Sequence, residues 1–204
     1  MSKPALTIVA GCNGAGKSTY SKIYVKDSII PFDYDKRVSE VYKSLPDSEL
    51  REQFSKNQVT SEFESSINEA FMNKKSFCYE TNFDTHPIVW AKKAKTLGYL
   101  LELHFYCLDT LEIAKERVAI RTKQNGHFVR DDVIDYKWKQ GYKNLNLHYE
   151  LFDFILMLDN SNFNQPIQPL FTLEKSDFSY NVRNFKDILP EYAERRFPAI
   201  YALL

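Results

Sequence analysis

A glycine-rich segment near the start of the chain has the composition of a phosphate-binding loop. Residues 9–19 read VAGCNGAGKST, in which Gly11, Gly16, Lys17 and Ser18 satisfy the pattern GxxxxGK[ST]. Glycines let consecutive backbone N–H groups turn inward around an anion, and a following helix adds the positive end of its dipole. The lysine of this pattern bridges the β- and γ-phosphates of a nucleotide, and the next hydroxyl ligates Mg²⁺.

The sequence around this loop is the one that a nucleotide site requires. The apolar run 6–10 precedes it as a strand would, and a helical pattern follows it. We therefore predict a nucleotide site in which Ser18 is the metal ligand. The predicted nucleotide-binding residues are Gly11, Cys12, Asn13, Gly14, Ala15, Gly16, Lys17, Ser18 and Thr19.

Three classes of protein use such a loop: small-molecule kinases, ATP-driven motors or transporter subunits, and nucleotide-dependent switches. A transporter ATPase needs an apolar strand that ends in Asp-Glu, whereas the run ILMLDN ends in Asp159 and Asn160, and the sequence has no SGGQ-like segment. A switch GTPase needs an NKxD-type segment that recognises guanine, which this sequence lacks. These differences favour the kinase class.

Acidic residues follow two of the strand-like runs, where the carboxyl edge of a sheet binds ligands. The segment FDYD (32–35) follows the run 28–32, and Glu80 closes the run 76–80. An acid in this place can orient or deprotonate an acceptor hydroxyl, and we predict that Asp35 does so. The other acid of the pair, Asp33, is expected near the substrate or as the cap of the next helix. Glu80 is expected either to contact the substrate or to be a structural acid.

Basic residues cluster further along the chain. Arg117 and Arg121 are spaced i, i+4 and share one face of a predicted helix. The segment 122–131 that follows contains more basic residues around Asn-Gly, among them His127 and Arg130. A basic helix end that leads into a flexible basic loop suits a lid that closes over phosphate. Arg121 is the predicted contact of the transferring phosphate, because its fork matches phosphate oxygens; a solvated charged face is the alternative.

Strand-like runs alternate with helical patterns through most of the chain, which predicts an α/β fold: a P-loop NTPase three-layer sandwich with a mostly parallel central sheet and a helical lid. The predicted strands cover 6–10, 28–32, 76–80, 99–108 and 152–159. The predicted helices cover 48–75, 87–97, 110–124 and 131–147. Beyond Pro166 the pattern weakens to a short hairpin or loop and a helix near 189–197.

We expect residues 1–204 to form one P-loop kinase domain, with a core of about 5–161, a lid of about 122–131 and a C-terminal extension of about 166–204. The 27 basic and 27 acidic side chains balance, so nucleic-acid binding cannot rest on overall charge. The three widely spaced cysteines argue against a disulfide framework and a zinc site. No apolar run approaches the ~18 residues that span a bilayer. We expect a cytoplasmic protein without nucleic-acid or membrane partners.

The order of these segments resembles that of the zeta-toxin-like P-loop kinases. Their pattern is AGPNGAGKST, F-N-x-D, a strand ending in E-T, R-V-x-x-R, G-G-H-x-V-P, a helix with R-R-Y and N-L, and D-N-S. The corresponding segments here, over about residues 5–161, are AGCNGAGKST (10–19), FDYD (32–35), ET (80–81), RVAIR (117–121), NGHFV (125–129), GYKNL (141–145) and DNS (159–161).

The resemblance implies a kinase that uses ATP and Mg²⁺ and transfers the γ-phosphate to a sugar nucleotide, of which UDP-N-acetylglucosamine is the family's best-known acceptor. It implies that Asp35 is the base, that Arg121 stabilises charge, and that Glu80 and Thr81 contact the substrate. His127 and Arg130 of the lid are expected to contact it as well. A neutralising antitoxin protein is the partner that the family implies.

Three positions depart from the family's pattern. Asn125 replaces the first lid glycine, and Arg130 replaces the lid proline. Lys137 replaces an arginine, which keeps the charge and loses the bidentate grip; Arg130 is a candidate for the missing fork. A different small acceptor, such as a nucleoside or polyol, and an ATP-binding module without transfer activity therefore stay as alternatives. The predicted catalytic residues are Lys17, Asp35, Arg121 and Lys137.

Overall fold

Strands and helices alternate from residue 5 to residue 159 in the computed structural model, which describes residues 3–25, 29–124, 128–177 and 179–204. The strands are β1 (Ala5–Ala10), β2 (Phe32–Asp33), β3 (Phe77–Thr81), β4 (Leu100–Cys107), β5 (Phe154–Asp159), β6 (Gln168–Lys175) and β7 (Tyr180–Asn184). The helices are α1 (Lys17–Tyr24), α2 (Tyr34–Ser44), α3 (Arg51–Met72), α4 (Val89–Thr96), α5 (Leu111–Lys123), α6 (Asp131–His148), α7 (Tyr192–Arg196) and α8 (Pro198–Tyr201).

The strands form one sheet with the order β2-β3-β1-β4-β5-β6-β7. Neighbours from β2 to β5 are parallel, whereas β6 and β7 are antiparallel to the strands beside them. The predicted α/β class with a mostly parallel sheet is confirmed. Because β1 to β5 run in the same direction, their carboxyl ends meet at one edge, and the residues that follow these strands share that edge.

Burial explains why these segments are strands. Nearly every residue of β1, β4 and β5 is buried, which is the pattern of parallel strands covered on both faces. The long helix α3 buries Val59, Ile67 and Phe71, which are separated by multiples of four residues and so lie on one face of the helix. In the part of the chain that the structure describes, no helix combines the length and apolar character that a bilayer crossing requires.

The second strand differs from the prediction. We expected residues 28–32 as a strand, but β2 comprises only Phe32 and Asp33, and Ser28 lies outside the described residues. Pro31 has no backbone N–H to donate to a neighbouring strand, and the preceding Ile30 is 76% exposed. The strand therefore begins only after the proline, which brings Asp33 into the sheet.

The chain beyond Pro166 adds to the sheet more than the sequence indicated. The hairpin of β6 and β7 extends the sheet antiparallel to β5. The predicted helix near 189–197 is present as α7, and α8 follows it. Phe197 lies between them, is fully buried and packs against Phe171 of β6, with 6.0 Å between the ring centroids. This C-terminal segment therefore contributes side chains to the hydrophobic core.

Replacing Phe197 with alanine tests whether the C-terminal segment unfolds together with the sheet. We expect Phe197→Ala to lower the free energy of unfolding by about 3–5 kcal/mol, because a fully buried aromatic ring leaves a cavity. Phe185→Ala is the matched control, since that ring is 42% exposed. Urea unfolding followed by circular dichroism measures both variants. A separate early transition in Phe197→Ala, with the main transition unchanged, would show that the segment folds independently.

Candidate active site

The glycine-rich loop connects β1 to α1 at the carboxyl edge of the sheet. Two of its glycines are required by geometry. Gly11 has φ +143°, and a Cβ there would lie 2.6 Å from the carbonyl oxygen of Tyr106. Gly16 has φ +93°, and a Cβ there would lie 2.3 Å from Nδ2 of Asn160. Asn160 follows β5 and donates from the same Nδ2 to the Ala15 carbonyl at 2.9 Å. A residue two strands away from β1 thus holds the loop in place.

The Lys17 ammonium is directed inward, toward the start of the loop. Nζ donates to the carbonyl oxygens of Gly11 at 2.7 Å and Cys12 at 3.2 Å, and to Oδ1 of Asn82 at 3.3 Å. Burial lowers the pKa of Lys17, and the nearby Glu80 carboxylate acts in the opposite direction. Burial also raises the pKa of the Cys12 thiol to about 12, so Cys12 stays protonated and takes part through its backbone.

Two carboxylates meet at the hydroxyl of Ser18. Oγ lies 2.7 Å from Oδ2 of Asp33 and 2.7 Å from Oε2 of Glu80, and the other oxygen of Glu80 accepts from Ser21 at 3.1 Å. Burial raises the pKa of Glu80, and the charge of Asp33 raises it further. One hydroxyl and two carboxylates are the oxygen ligands that Mg²⁺ prefers, so the residues present fit this ion. The sequence led us to expect Asp33 near the substrate or as a helix cap, and Glu80 as a substrate contact or a structural acid. The structure places both carboxylates beside Ser18.

Asp33 and Asp35 have different surroundings. The Asp33 side chain caps α2 by accepting from the Lys36 backbone N–H at 3.0 Å. Asp35, in the first turn of α2, lines the cleft, and its Oδ2 lies 3.4 Å from Nδ2 of Asn13 in the loop. Oδ1 of Asn13 is buried, and no partner within hydrogen-bonding distance is found for it among the described residues. Asp35 and the Asn13 amide therefore lie together at the loop.

The basic side chains approach the cleft from α5 and α6. Arg121 of α5 and Lys137 of α6 both line it, as does Arg117, one turn before Arg121. The Arg117 guanidinium lies 4.6 Å from the centroid of the Phe163 ring, and its Nη1 is 3.5 Å from the Gly14 carbonyl. Arg121 and Lys137 therefore line the same cleft. Arg117 and Phe163 stack against each other beside the loop.

All of these groups line one cleft of about 1290 Å³. Its centre is the glycine-rich loop with Lys17 and Ser18. Arg117, Phe163 and Tyr20 line one end, toward β5. The other end, toward β3, is lined by polar and aromatic side chains of the end of β3, of the connection after it and of α4: Thr81, Asp84, Thr85, His86 and Trp90. The volume of the cleft is sufficient for a nucleotide and a second small molecule.

One predicted lid residue, Arg130, does not line this cleft. Arg130 precedes α6, and its guanidinium forms a two-point ion pair with Asp132, through Nε at 3.0 Å and Nη2 at 2.7 Å. Its side chain is 70% exposed and does not line the cleft. The expectation that Arg130 supplies the fork missing at Lys137 is therefore not met in this conformation, because an acid two positions away engages it. His127 lies outside the described residues.

Sequence reasoning did not select three polar residues at the site: Asn82, Asn144 and Asn160. All three are buried, and each contacts the backbone or Lys17 rather than open solvent. Asn82 directly follows the Glu80-Thr81 pair, and Asn144 and Asn160 lie within the segments GYKNL and DNS. Their place in these segments was the available signal. What they touch depends on how distant elements pack, which spacing along the chain does not reveal.

Comparison with known proteins agrees with this geometry. A family model described as zeta toxin matches residues 1–148, which is more than half of the chain. The chain belongs to the zeta toxin family. This membership supports an ATP-using P-loop kinase as the functional class. An uncharacterized protein of Haemophilus influenzae is 25% identical over 130 residues, which cover 63% of this chain and 88% of that protein.

Solved structures share the fold of this family member. A structure from the PezAT chromosomal toxin–antitoxin system of Streptococcus pneumoniae is 20% identical, with a TM-score of 0.60 over 78% of this chain and 70% of that chain. The AvrRxo1-ORF1:AvrRxo1-ORF2 structure with sulphate ions is 14% identical, with a TM-score of 0.67 over 96% of this chain and 64% of that chain. At these identities the similarity shows the fold, which is that of P-loop NTPases.

Removing the Asn160 amide tests its support of the loop. We expect Asn160→Ala to lower the free energy of unfolding by about 1–3 kcal/mol, because the Ala15 carbonyl loses its partner. ATP binding is expected to weaken about tenfold, equivalent to ~1.4 kcal/mol, as the loop loses its preferred conformation. Denaturant unfolding and calorimetric titration with Mg·ATP measure the two effects. Asn181→Ala, at an exposed position of β7, is the control and should leave both unchanged.

The pKa of Glu80 predicts how stability depends on pH in metal-free buffer. Because this pKa is raised in the native state, the contribution of Glu80 to stability is present at low pH and is lost as the pH rises through that pKa. We therefore expect Glu80→Gln to be more stable than the wild type at pH 7, and this advantage to shrink toward pH 4.5. Urea titrations in EDTA across this range measure the difference.

Glu62→Gln is a control in which the pKa of the replaced carboxylate is shifted in the opposite direction. A hydrogen bond from Arg37 lowers the pKa of Glu62, so its contribution is present at neutral pH and is lost as the pH falls. This variant should be no more stable than the wild type at pH 7. If Glu80→Gln also lacks an advantage there, burial does not destabilise the Glu80 carboxylate as described.

Proposed function

We propose that the protein is a Mg²⁺-dependent kinase that transfers the γ-phosphate of ATP to a hydroxyl of a small molecule. A sugar nucleotide such as UDP-N-acetylglucosamine is the acceptor class that the family resemblance favours. The observation that carries the proposal is that Asp35 lines the same cleft as Lys17 and Ser18 and lies beside Asn13 of the loop. A phosphate held by the loop therefore lies beside a carboxylate that can receive a proton.

The loop is suited to hold the phosphates of ATP. Its backbone N–H groups and the start of α1 provide positive potential, and Lys17 can exchange its present carbonyl partners for phosphate oxygens. Ser18, with Asp33 and Glu80 beside it, would hold Mg²⁺. Bound there, the ion supplies charge neutralisation for the β- and γ-phosphate oxygens. It would also remove the repulsion between the two carboxylates.

The chemistry of transfer falls to Asp35 and the basic side chains. Asp35 accepts the proton of the acceptor hydroxyl while that oxygen forms a bond to the γ-phosphorus, and the bond from phosphorus to the bridging oxygen of ADP breaks. Asn13 faces Asp35 through Nδ2 and would help to hold that carboxylate in place. Arg121 and Lys137, on the helices that border the lid segment, would contact the negative charge of the transferring group.

The two ends of the cleft have different chemistry, which supports two different occupants. Arg117 and Phe163 offer a flat cationic and aromatic surface that suits the base of ATP. The other end is lined by Asp84, His86 and Trp90, a combination that suits a polar acceptor with a planar group. A sugar nucleotide is the acceptor to test before a nucleoside or polyol, because the family resemblance favours it.

A protein partner is part of the proposal. Two structures of this fold belong to systems described as PezAT toxin–antitoxin and AvrRxo1-ORF1:AvrRxo1-ORF2, and the second has also been solved with ATP. We propose that an antitoxin protein likewise binds and neutralises this chain. Co-purification of the chain with the product of a neighbouring gene, and loss of kinase activity in that complex, would support this partner.

Two variants test the transfer reaction directly. The purified protein is incubated with Mg·ATP and a panel of sugar nucleotides, nucleosides and polyols, and phosphorus NMR follows new phosphomonoesters. Lys17→Ala should abolish the signal, because the loop loses its charge. Asp35→Asn should lower the rate about 10²-fold or more while ATP still binds, since only the proton acceptor is lost. Asp47→Asn is the control, because that carboxylate is 98% exposed and should leave the rate unchanged.

The panel also separates the alternatives. A product only with nucleosides or polyols would identify a kinase with a different acceptor. ATP binding without turnover on any member of the panel would favour a binding module without transfer activity. Full activity of Asp35→Asn would show that another group accepts the proton.

A further inference from the structure

The connection between β3 and α4, residues 82–88, passes directly beside the phosphate-binding lysine. It starts with Asn82, whose Oδ1 accepts from Lys17, and continues along the acceptor end of the cleft. Two of its residues adopt left-handed backbone conformations without being glycine: Phe83 has φ +60° and His86 has φ +47°. Such conformations are unfavourable for residues with a Cβ and persist only where the surroundings impose them.

The surroundings that impose this turn come chiefly from α6. Nδ2 of Asn144 donates to the carbonyl oxygens of Phe83 at 2.9 Å and Asp84 at 2.7 Å. The two N–H groups of one buried amide thus satisfy two consecutive carbonyls of the turn. The Phe83 side chain is fully buried, and the backbone N–H of Phe83 donates to Oγ1 of Thr81 at 3.0 Å. These contacts determine the direction in which the preceding residue, Asn82, points.

The face of α6 that carries Asn144 also carries two other site positions. Lys137, Gly141 and Asn144 are spaced i, i+4 and i+7, so they follow one stripe of the helix. Lys137 lines the cleft, and a Cβ at Gly141 would lie only 3.0 Å from the backbone oxygen of Asn82. Helix α6 therefore packs directly against the turn. The position of α6 determines where Lys137 and Asn82 lie.

We propose that Asn144 is a positioning residue for Lys17, acting through the turn at Phe83 and the side chain of Asn82. Asn144 holds the turn, the turn directs the Asn82 amide toward the loop, and Asn82 Oδ1 holds the ammonium in the place from which it reaches a phosphate. Asn144 itself does not line the cleft. The consequence for ATP affinity rests on the proposed function, whereas the consequence for Lys17 itself does not.

The chain offers a matched control two residues further along the helix. Nδ2 of Asn146 donates to the carbonyl oxygens of Tyr142 and Arg196, and its Oδ1 accepts from the Ala199 backbone N–H. Like Asn144, this amide joins α6 to backbone groups of a neighbouring segment. Its partners lie in α6 and the C-terminal helices, away from the loop. Loss of either amide should weaken packing, but only loss of the Asn144 amide should alter the environment of the Lys17 ammonium.

The first experiment measures Lys17 without any nucleotide. The wild type and the variants Asn82→Ala, Asn144→Ala and Asn146→Ala are labelled with a trace of acetic anhydride, and mass spectrometry gives the acetylation rate of each lysine. We expect the acetylation rate at Lys17 to increase about two- to fivefold in the Asn82 and Asn144 variants, because the local environment of Lys17 opens. It should be unchanged in Asn146→Ala. An unchanged rate in Asn144→Ala, or an equal change in Asn146→Ala, would overturn the proposal.

The second experiment measures Mg·ATP affinity by calorimetric titration as a double-mutant cycle. Each of Asn82→Ala and Asn144→Ala should weaken binding by about five- to tenfold, and the double variant should bind no more weakly than the weaker single variant. Independent, additive losses would contradict action through Asn82. If the wild type itself does not bind ATP, the proposed function fails, while the labelling result still decides the role of Asn144.

Gly141→Ala covers the case in which Asn144→Ala does not fold. Alanine favours a helix more than glycine does, so the variant should keep its stability. Its Cβ, 3.0 Å from the Asn82 backbone oxygen, should displace the turn by a few tenths of an ångström. We expect altered Lys17 acetylation and weaker ATP binding at an unchanged unfolding midpoint. Wild-type values for both would show that the position of the turn does not influence Lys17.

Discussion

The site is organised around a lysine ammonium that has been taken largely out of water. A buried cation is costly unless polar groups replace its hydration shell, and at Lys17 the replacement comes from three oxygen atoms and from the charge of Glu80. The loop carbonyls come from the segment after β1, whereas Asn82 and Glu80 come from the end of β3. The parallel pairing of β1 with β3 brings these groups to the same level, so the sheet register is a condition of the site.

The carboxylates at Ser18 present the opposite problem. Asp33 and Glu80 lie against one hydroxyl, which can donate only one proton, and burial of Glu80 adds to the unfavourable electrostatics. A protein optimised for stability alone would not retain this arrangement, because like charges at close range repel. Under the proposed function, a divalent cation held by these oxygens would make the same arrangement favourable. The site would then give up stability when it is empty and gain affinity for that cation.

Much of the fold could be predicted from the sequence because the signals are local. Short stretches of consecutive residues contain the loop pattern, the buried runs of β1, β4 and β5, and the periodic face of α3. The start of β2 depended on whether Pro31 could pair, and the place of the hairpin depended on a sheet edge that no local pattern describes. At the site, the types of Lys17, Ser18, Asp35 and Arg121 were informative. The partners of Asn82, Asn144 and Asn160 were not, since those contacts join segments that lie far apart in the chain.

The hydrogen bond from Asn160 to the Ala15 carbonyl sets a lower limit on how much of the chain is needed to hold the glycine-rich loop in place. The family match ends at His148, before β5, so a fragment cut at that boundary would retain all ten residues from Ala10 to Thr19 and lose the amide that supports them. It would also lose β5, which pairs with β4, and it would lose the buried aromatic ring of Phe197. The phosphate-binding loop therefore depends on residues that lie beyond the segment matched by the family model.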